Sequence, residues 1–137
     1  MPALLLDTCA LIWLAADEPI ADAALTAIDE AYRTDETVWV SPITAWEIGL
    51  MTARGRIALA TSPHAWFRKA MAQIGVALCP LEPETLIDSS FLPGAPPRDP
   101  ADRIVIATAR ALDLRVVTRD QVILSYAEKG HVTALPC

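Results

Sequence analysis

A three-layer α/β/α fold around a central, mostly parallel sheet is what this 137-residue sequence predicts. Three observations carry the prediction. Short unbroken apolar runs, Leu4-Leu5-Leu6 above all, read as strands buried on both faces, as strands of a parallel sheet are. Such runs alternate with amphipathic stretches of helical length, the pattern of βαβ units. Hydroxyl and acidic residues stand where helical stretches begin, at Asp7-Thr8, Ser41-Pro42, Asp99-Pro100 and Asp120, and these residue types cap helices.

The elements follow in order. Leu4–Leu6 is the first strand, and Asp7 or Thr8 caps a helix running to Ala16. Ile20 to Arg33 carries apolar residues at helical spacing with Asp22, Asp29 and Glu30 outside, so it is a second helix, forming a hairpin with the first over one face of the sheet. Thr37 to Ser41 is β-branched and aromatic and reads as strand two. Ser41 caps the next helix and Pro42 fits its first position. Arg54-Gly55-Arg56 ends that helix, and Ile57 to Ala60 reads as a short extended piece. Ser62 or Pro63 opens a helix over His64 to Ile74, which Gly75 closes. Val76 to Cys79 is strand three and Pro83 to Phe91 a short helix. The stretch 92–98, rich in Pro and Gly, is a loop. Asp99 caps an unusually apolar helix to Leu112, and Leu114 to Thr118 is strand four. Val122 to Glu128 is a last helix and Val132 to Leu135 an edge strand. No linker divides the chain, so one domain over 1–137 is expected.

Composition narrows the class. The chain is 53% hydrophobic with net charge −6 and a sequence pI near 4.7. Broad electrostatic capture of nucleic acid is disfavoured by that charge, although carboxylates gathered on a cation would lower the pI without making the surface repel phosphate. Nine of the eleven basic residues are Arg, which suits paired contacts to phosphate or carboxylate. Cys9, Cys79 and Cys137 are odd in number and form no C-x-x-C pair, which argues against a disulfide framework or a thiolate zinc site and points to a reducing cytoplasm. Cys9 reads as a small buried filler. No run approaches the ~20 apolar residues of a membrane span, and no secretory signal is evident. The apolar surface of the first two helices or of His64 to Ile74 is the expected partner and dimer face.

Four acids share a context. Asp7 ends strand one, Glu47 lies in the first two turns after strand two, Asp102 opens a helix beside Asp99, and Asp120 follows strand four. In open α/β sheets ligands bind beyond the carboxyl ends of the strands. Carboxylates packed there would raise one another's pKa, which a cation would relieve. Oxygen-only ligands select hard ions, Mg²⁺ or Mn²⁺. Such an ion supports phosphodiester hydrolysis by activating water and stabilising the leaving oxygen. Thr8, Ser41, Thr44 and Thr118 sit at the same edge, where they would orient ligands or bind a phosphate oxygen. Arg103 and Arg119 are placed to approach phosphate or to pair with the acids. Each Asp taken alone is most simply a helix cap. Glu47, between Trp46 and Ile48, is harder to explain without a partner. The four tryptophans read as core or partner-facing.

Leu5-Leu6-Asp7-Thr8, Ser41 to Ile48, Asp99 to Ala109 and Val116 to Asp120, in this order and spacing, resemble the PIN domain, and most of all the VapC toxins of bacterial type II toxin–antitoxin systems. The resemblance covers essentially the whole chain. It implies a Mg²⁺- or Mn²⁺-dependent endoribonuclease acting on RNA, a homodimer, and a cognate VapB-type antitoxin that covers the active-site groove. By position, Asp7, Glu47, Asp102 and Asp120 match the family's acidic quartet. Thr118 and Ser41 match its recurrent polar positions, and Asp99 accompanies Asp102 as a second acid at that helix start. A PIN scaffold that binds RNA or protein without cleaving is the alternative. A receiver domain or a haloacid-dehalogenase-like phosphatase also places an Asp after strand one. Both need a Lys after a later strand, whereas Lys69 lies inside a predicted helix and Lys129 near the end.

Overall fold

The computed structural model describes residues 2–137; Met1, read with Pro2 as a turn-prone lead into the first strand, lies outside the described residues. Five strands, β1 (Ala3–Leu6), β2 (Trp39–Val40), β3 (Ala77–Leu78), β4 (Leu114–Thr118) and β5 (Thr133–Pro136), form one sheet. Its order is β3-β2-β1-β4-β5, and every neighbouring pair is parallel. From β1 the chain steps outward through β2 to β3, then crosses back to β4 on the other side of β1. The strand order therefore reverses between β1 and β4, and a crevice opens at their carboxyl ends.

Among the described residues seven helices cover the sheet: α1 (Thr8–Ala15), α2 (Asp22–Arg33), α3 (Pro42–Ala53), α4 (Pro63–Ile74), α5 (Pro83–Asp88), α6 (Pro100–Leu112) and α7 (Gln121–Glu128). Alternate residues of each strand feed opposite layers, as a period of two requires. Leu4, Leu6, Val40 and Val117 join Ala10, Leu11, Ala24, Ile28 and the apolar face of α4. Leu5, Val116 and Leu114 join Val105, Ile106, Ala109, Ile123 and Tyr126 on the other side. The three predicted layers are thus present.

Several local expectations change, among them the helix predicted over 83–91, which stops at Asp88, and the strand predicted over 76–79, which contracts to Ala77–Leu78. Ile57 to Ala60 forms no strand, and β3 takes the place next to β2. The predicted strand 37–41 contracts to Trp39–Val40, because only these two residues find partners in β1 and β3. The predicted α1–α2 hairpin is loose: α1 leans mainly on α4 and α3, and α2 on β5. The helix boundaries follow the predicted caps closely, with Asp7, Ser41, Ser62, Asp99 and Asp120 each accepting a main-chain hydrogen bond.

Candidate active site

Asp7 leaves the end of β1 and turns directly into α1. Its main-chain N–H still belongs to the sheet, donating to Val117 O at 3.1 Å. Its carboxylate is buried, and Oδ1 accepts from Ala10 N at 2.8 Å. Oδ2 accepts from the Thr118 hydroxyl at 2.5 Å. Thr118, at the end of the adjacent strand β4, in turn accepts from Asp120 N at 3.0 Å. One buried hydroxyl thereby ties two acids from opposite ends of the chain into register. Asp120 caps α7 through Val122 N at 2.7 Å.

Facing this pair are acids from two further helices. Glu47 Oε1 accepts from the Thr8 hydroxyl at 2.5 Å, and the hydroxyls of Thr8 and Thr44 lie 3.1 Å apart. Asp99 caps α6 through Ala101 N at 2.8 Å. Asp102 follows in the first turn of α6, with no hydrogen-bond donor to its carboxylate among the described residues. Asp7, Glu47, Asp99, Asp102 and Asp120 all line one cleft of about 370 Å³, together with Thr8 and Arg119.

The electrostatics record what this gathering costs. Burial raises the Asp7 carboxyl, against the lowering effect of its bonds to Thr118 and Ala10. Burial also raises Glu47, with Asp99 and Asp7 adding to the effect. Asp102 is pushed up to about 7, first by burial and then by Asp99, Asp120, Glu47 and Asp7. Like charges held in a half-buried site oppose each other's ionisation. An oxygen-rich, anionic set of this kind fits a hard divalent cation by donor chemistry. Asp7 Oδ1 accepts one hydrogen bond and keeps a lone pair, whereas Oδ1 of Asp99 and of Asp120 each accept two and leave Oδ2 for such a ligand. Among the described residues, no three of these groups already stand close enough to grip one ion, so side-chain rotation into the cleft would complete the set.

The supporting residues divide. Thr8 and Arg119 line the cleft, and Thr118 acts from beneath it. Ser41, fully buried, spends its side chain capping α3 through Ile43 N. Thr44 is equally buried and reaches the cleft only through Thr8. Arg103 is corrected: its Nε donates to Pro97 O at 2.7 Å, clamping the 92–98 loop rather than approaching the acids. Arg119 holds Cys137 O at 2.9 Å and Pro19 O at 3.2 Å, with its guanidinium carbon 3.6 Å from the centre of the Trp13 ring.

Three lining residues lie outside the site that the sequence predicts: Cys9, Trp13 and Val105. Cys9, expected to be buried, is exposed in the cleft, where burial of its sulfur and the surrounding acids push the thiol up to about 11. Trp13 stands one turn further along the same face of α1. The spacing of four between them was the available signal. The exposed apolar surface also differs from expectation. It is greatest at Ile87 and Phe91, 62% and 80% exposed, on α5 and the turn after it, while α2 adds only Leu25 and Tyr32.

Comparison with known proteins agrees with this fold. The PIN domain family model matches residues 4–129. Ribonuclease VapC22 of Mycobacterium tuberculosis is 30% identical over 134 residues, 97% of this chain and 98% of that protein. Among solved structures, VapBC2 from Rickettsia felis bound to a promoter DNA fragment has a chain of like fold, with TM-score 0.69 at 10% identity over 98% of both chains. A chain of VapBC-1 from nontypeable Haemophilus influenzae matches with TM-score 0.64 at 15% identity, covering 98% of this chain and 97% of that one. The match of the family model over nearly the whole chain and the full-length similarity to a curated relative show that this protein belongs to the PIN domain family.

Proposed function

We propose that this chain is a single-domain, divalent-metal-dependent endoribonuclease of the VapC toxin type, held in check by a cognate VapB-type antitoxin in the cytoplasm. The observation that carries the proposal is the meeting of Asp7, Glu47, Asp102 and Asp120, with Asp99, in one cleft from four separate parts of the chain. The similarity to a ribonuclease VapC supports the reaction class, and the likeness to chains of VapBC complexes makes an antitoxin partner the natural expectation.

Asp7, Glu47, Asp102 and Asp120 would hold Mg²⁺ or Mn²⁺. When bound, the ion supplies an activated water and charge stabilisation at the leaving oxygen. The chain's own residues do the rest. Thr118 fixes the Asp7 carboxylate and the start of α7 against each other. Thr8 orients Glu47. Asp102, with no capping duty, is the more direct ligand, and Asp99 shapes the helix start beneath it. Arg119 keeps a fixed positive charge at the cleft wall, where an RNA phosphate would approach. A homodimer would cover the apolar surface of Ile87 and Phe91.

The catalytically silent scaffold has one observation in its favour: Asp7, Asp99 and Asp120 all have structural work as helix caps. Glu47 and Asp102 have none, and two half-buried acids without structural duty are costly to keep. The test incubates antitoxin-free protein with structured RNAs in Mg²⁺, Mn²⁺ or EDTA, beside Asp7→Asn. Metal-dependent cleavage by the wild type alone is expected. Equal cleavage by both proteins would sink the assignment. No cleavage of any RNA and no Mn²⁺ binding would favour the scaffold.

A further inference from the structure

A second groove, of about 350 Å³, runs along α3 and shares Glu47 and Asp99 with the acidic cleft. Trp46 is 54% exposed beside it, and Leu50 and Met51 line it. Arg54 and Arg56 line its far part. Gly55, at φ 69°, lets the chain reverse after α3, and Arg56 N closes the turn on Met51 O at 2.9 Å. Two arginines one residue apart therefore serve the same groove. Arg54 lies two turns on from Glu47, or ~10 Å along the helix at 1.5 Å per residue.

These two cations differ from most other arginines of the chain. Arg33 pairs with Glu30. Arg103, Arg110 and Arg119 are spent on main-chain oxygens. Arg54 and Arg56 make no ion pair or side-chain hydrogen bond among the described residues, so their charges are free for a ligand. The rest of the surface is acidic on balance, so a polyanion can be held at the cleft only where cations are concentrated. Free guanidinium groups, an exposed indole and an aliphatic lining form the combination that holds single-stranded nucleic acid, through phosphate contacts and base stacking.

We infer that the α3 groove is the subsite for the single-stranded RNA flanking the cleaved bond, with Arg54 and Arg56 on phosphates and Trp46 stacked on a base. This rests on the ribonuclease reading and names where that substrate lies.

The test measures anisotropy of a short fluorescein-labelled, single-stranded RNA of mixed sequence, with Ca²⁺ replacing Mg²⁺ to slow turnover; cleavage is measured separately in Mg²⁺. R54A/R56A should raise Kd by ~10-fold or more and make the log Kd against log salt slope shallower by about 1.4, at ~0.7 per phosphate. Trp46→Ala should raise Kd by ~5-fold to 100-fold through lost stacking, and Trp46→Phe should recover most of it. In cleavage, the loss should fall on KM with kcat nearly kept. R68A/K69A, which removes two charges from exposed positions of α4, should bind as the wild type does. Wild-type cleavage with unchanged binding by R54A/R56A and Trp46→Ala would overturn the inference alone. Unchanged RNA binding with loss of antitoxin binding in R54A/R56A would also overturn it and make the groove a protein-docking surface. RNA binding through the groove without any cleavage would overturn the catalytic reading and leave the subsite standing. Absence of both binding and cleavage in the wild type would overturn both.

Discussion

Asp7 and Asp120 sit on one side of the cleft, held by four short side-chain bonds through Thr118 and two helix starts. Glu47 and Asp102 face them from α3 and α6 with a single bond between them, from Thr8. Both sides are anionic, yet only the first is fixed by the fold. The difference is one of duty: a carboxylate that caps a helix is stabilised by main-chain N–H groups and the helix dipole. Glu47 and Asp102 are stabilised by little, and Asp102 is the acid pushed up to about 7. The cleft is thus a rigid half facing a half whose charge is unbalanced until a cation arrives.

Removing the unbalanced half should have the largest effect. Asp102→Asn keeps the shape of the side chain and loses its charge, and RNA cleavage should fall ~10³-fold or more in single-turnover assays. In EDTA the same variant should melt a few degrees higher than wild type, because a repelled carboxylate is gone. A catalytic loss accompanied by lower stability would show that Asp102 serves the fold instead.

Disturbing the rigid half should cost less. Thr118→Val removes the hydroxyl shared by Asp7 and Asp120 and leaves Asp7 Oδ2 without its donor. Stability should drop by about 1–3 kcal/mol, and Mn²⁺ affinity by ~10-fold to 100-fold, read by thermal melts and calorimetry. Equal metal affinity in both proteins would break the claim that this side is the frame.

Acidity links the two halves, because burial raises Asp7 on the fixed side as it raises Glu47 and Asp102 on the other. With Asp102 pushed up to about 7, and Asp7 and Glu47 also raised, the metal-free folded protein binds more protons than the unfolded chain, for Asp102 between about pH 4 and 7. Stability in EDTA should therefore fall as pH rises through that window, the penalty being complete above it. Added Mn²⁺ should raise the Tm more at pH 7.5 than at pH 5. A smallest effect is expected at Ser41, which lies off the cleft: Ser41→Ala should cost ~1 kcal/mol as a lost cap and leave cleavage per folded molecule unchanged.

The same contrast explains what was legible in the sequence. Caps are local, so Asp7, Ser41, Asp99 and Asp120 announced helix starts that the structure carries. The apolar run Leu4–Leu6 and the Val116-Val117 pair within Leu114–Thr118 announced two adjacent inner strands, since burial on both faces leaves no alternation. What depends on neighbours far along the chain was not legible. Arg103 stands beside Asp102 in sequence, yet the carbonyl of Pro97 draws it to the loop. Cys9 looked like filler because its small apolar neighbours are buried, while its own position faces the acids across the crevice. The extension of Ile57–Ala60 failed because a strand needs a partner that no local pattern records. In sequence Arg54-Gly55-Arg56 marks only a helix end, since the groove's continuity with the cleft arises from α6 packing beside α3.

The most direct measurement is calorimetric titration of Mn²⁺ into the antitoxin-free protein at pH 7.5, with wild type, Asp102→Asn and Asp7→Asn compared. The wild type should bind Mn²⁺ and each variant at least ~10-fold more weakly, because the cation is held jointly by the fixed and the unbalanced acids. Wild-type protein that binds no Mn²⁺, or variants that bind it equally well, would contradict the account.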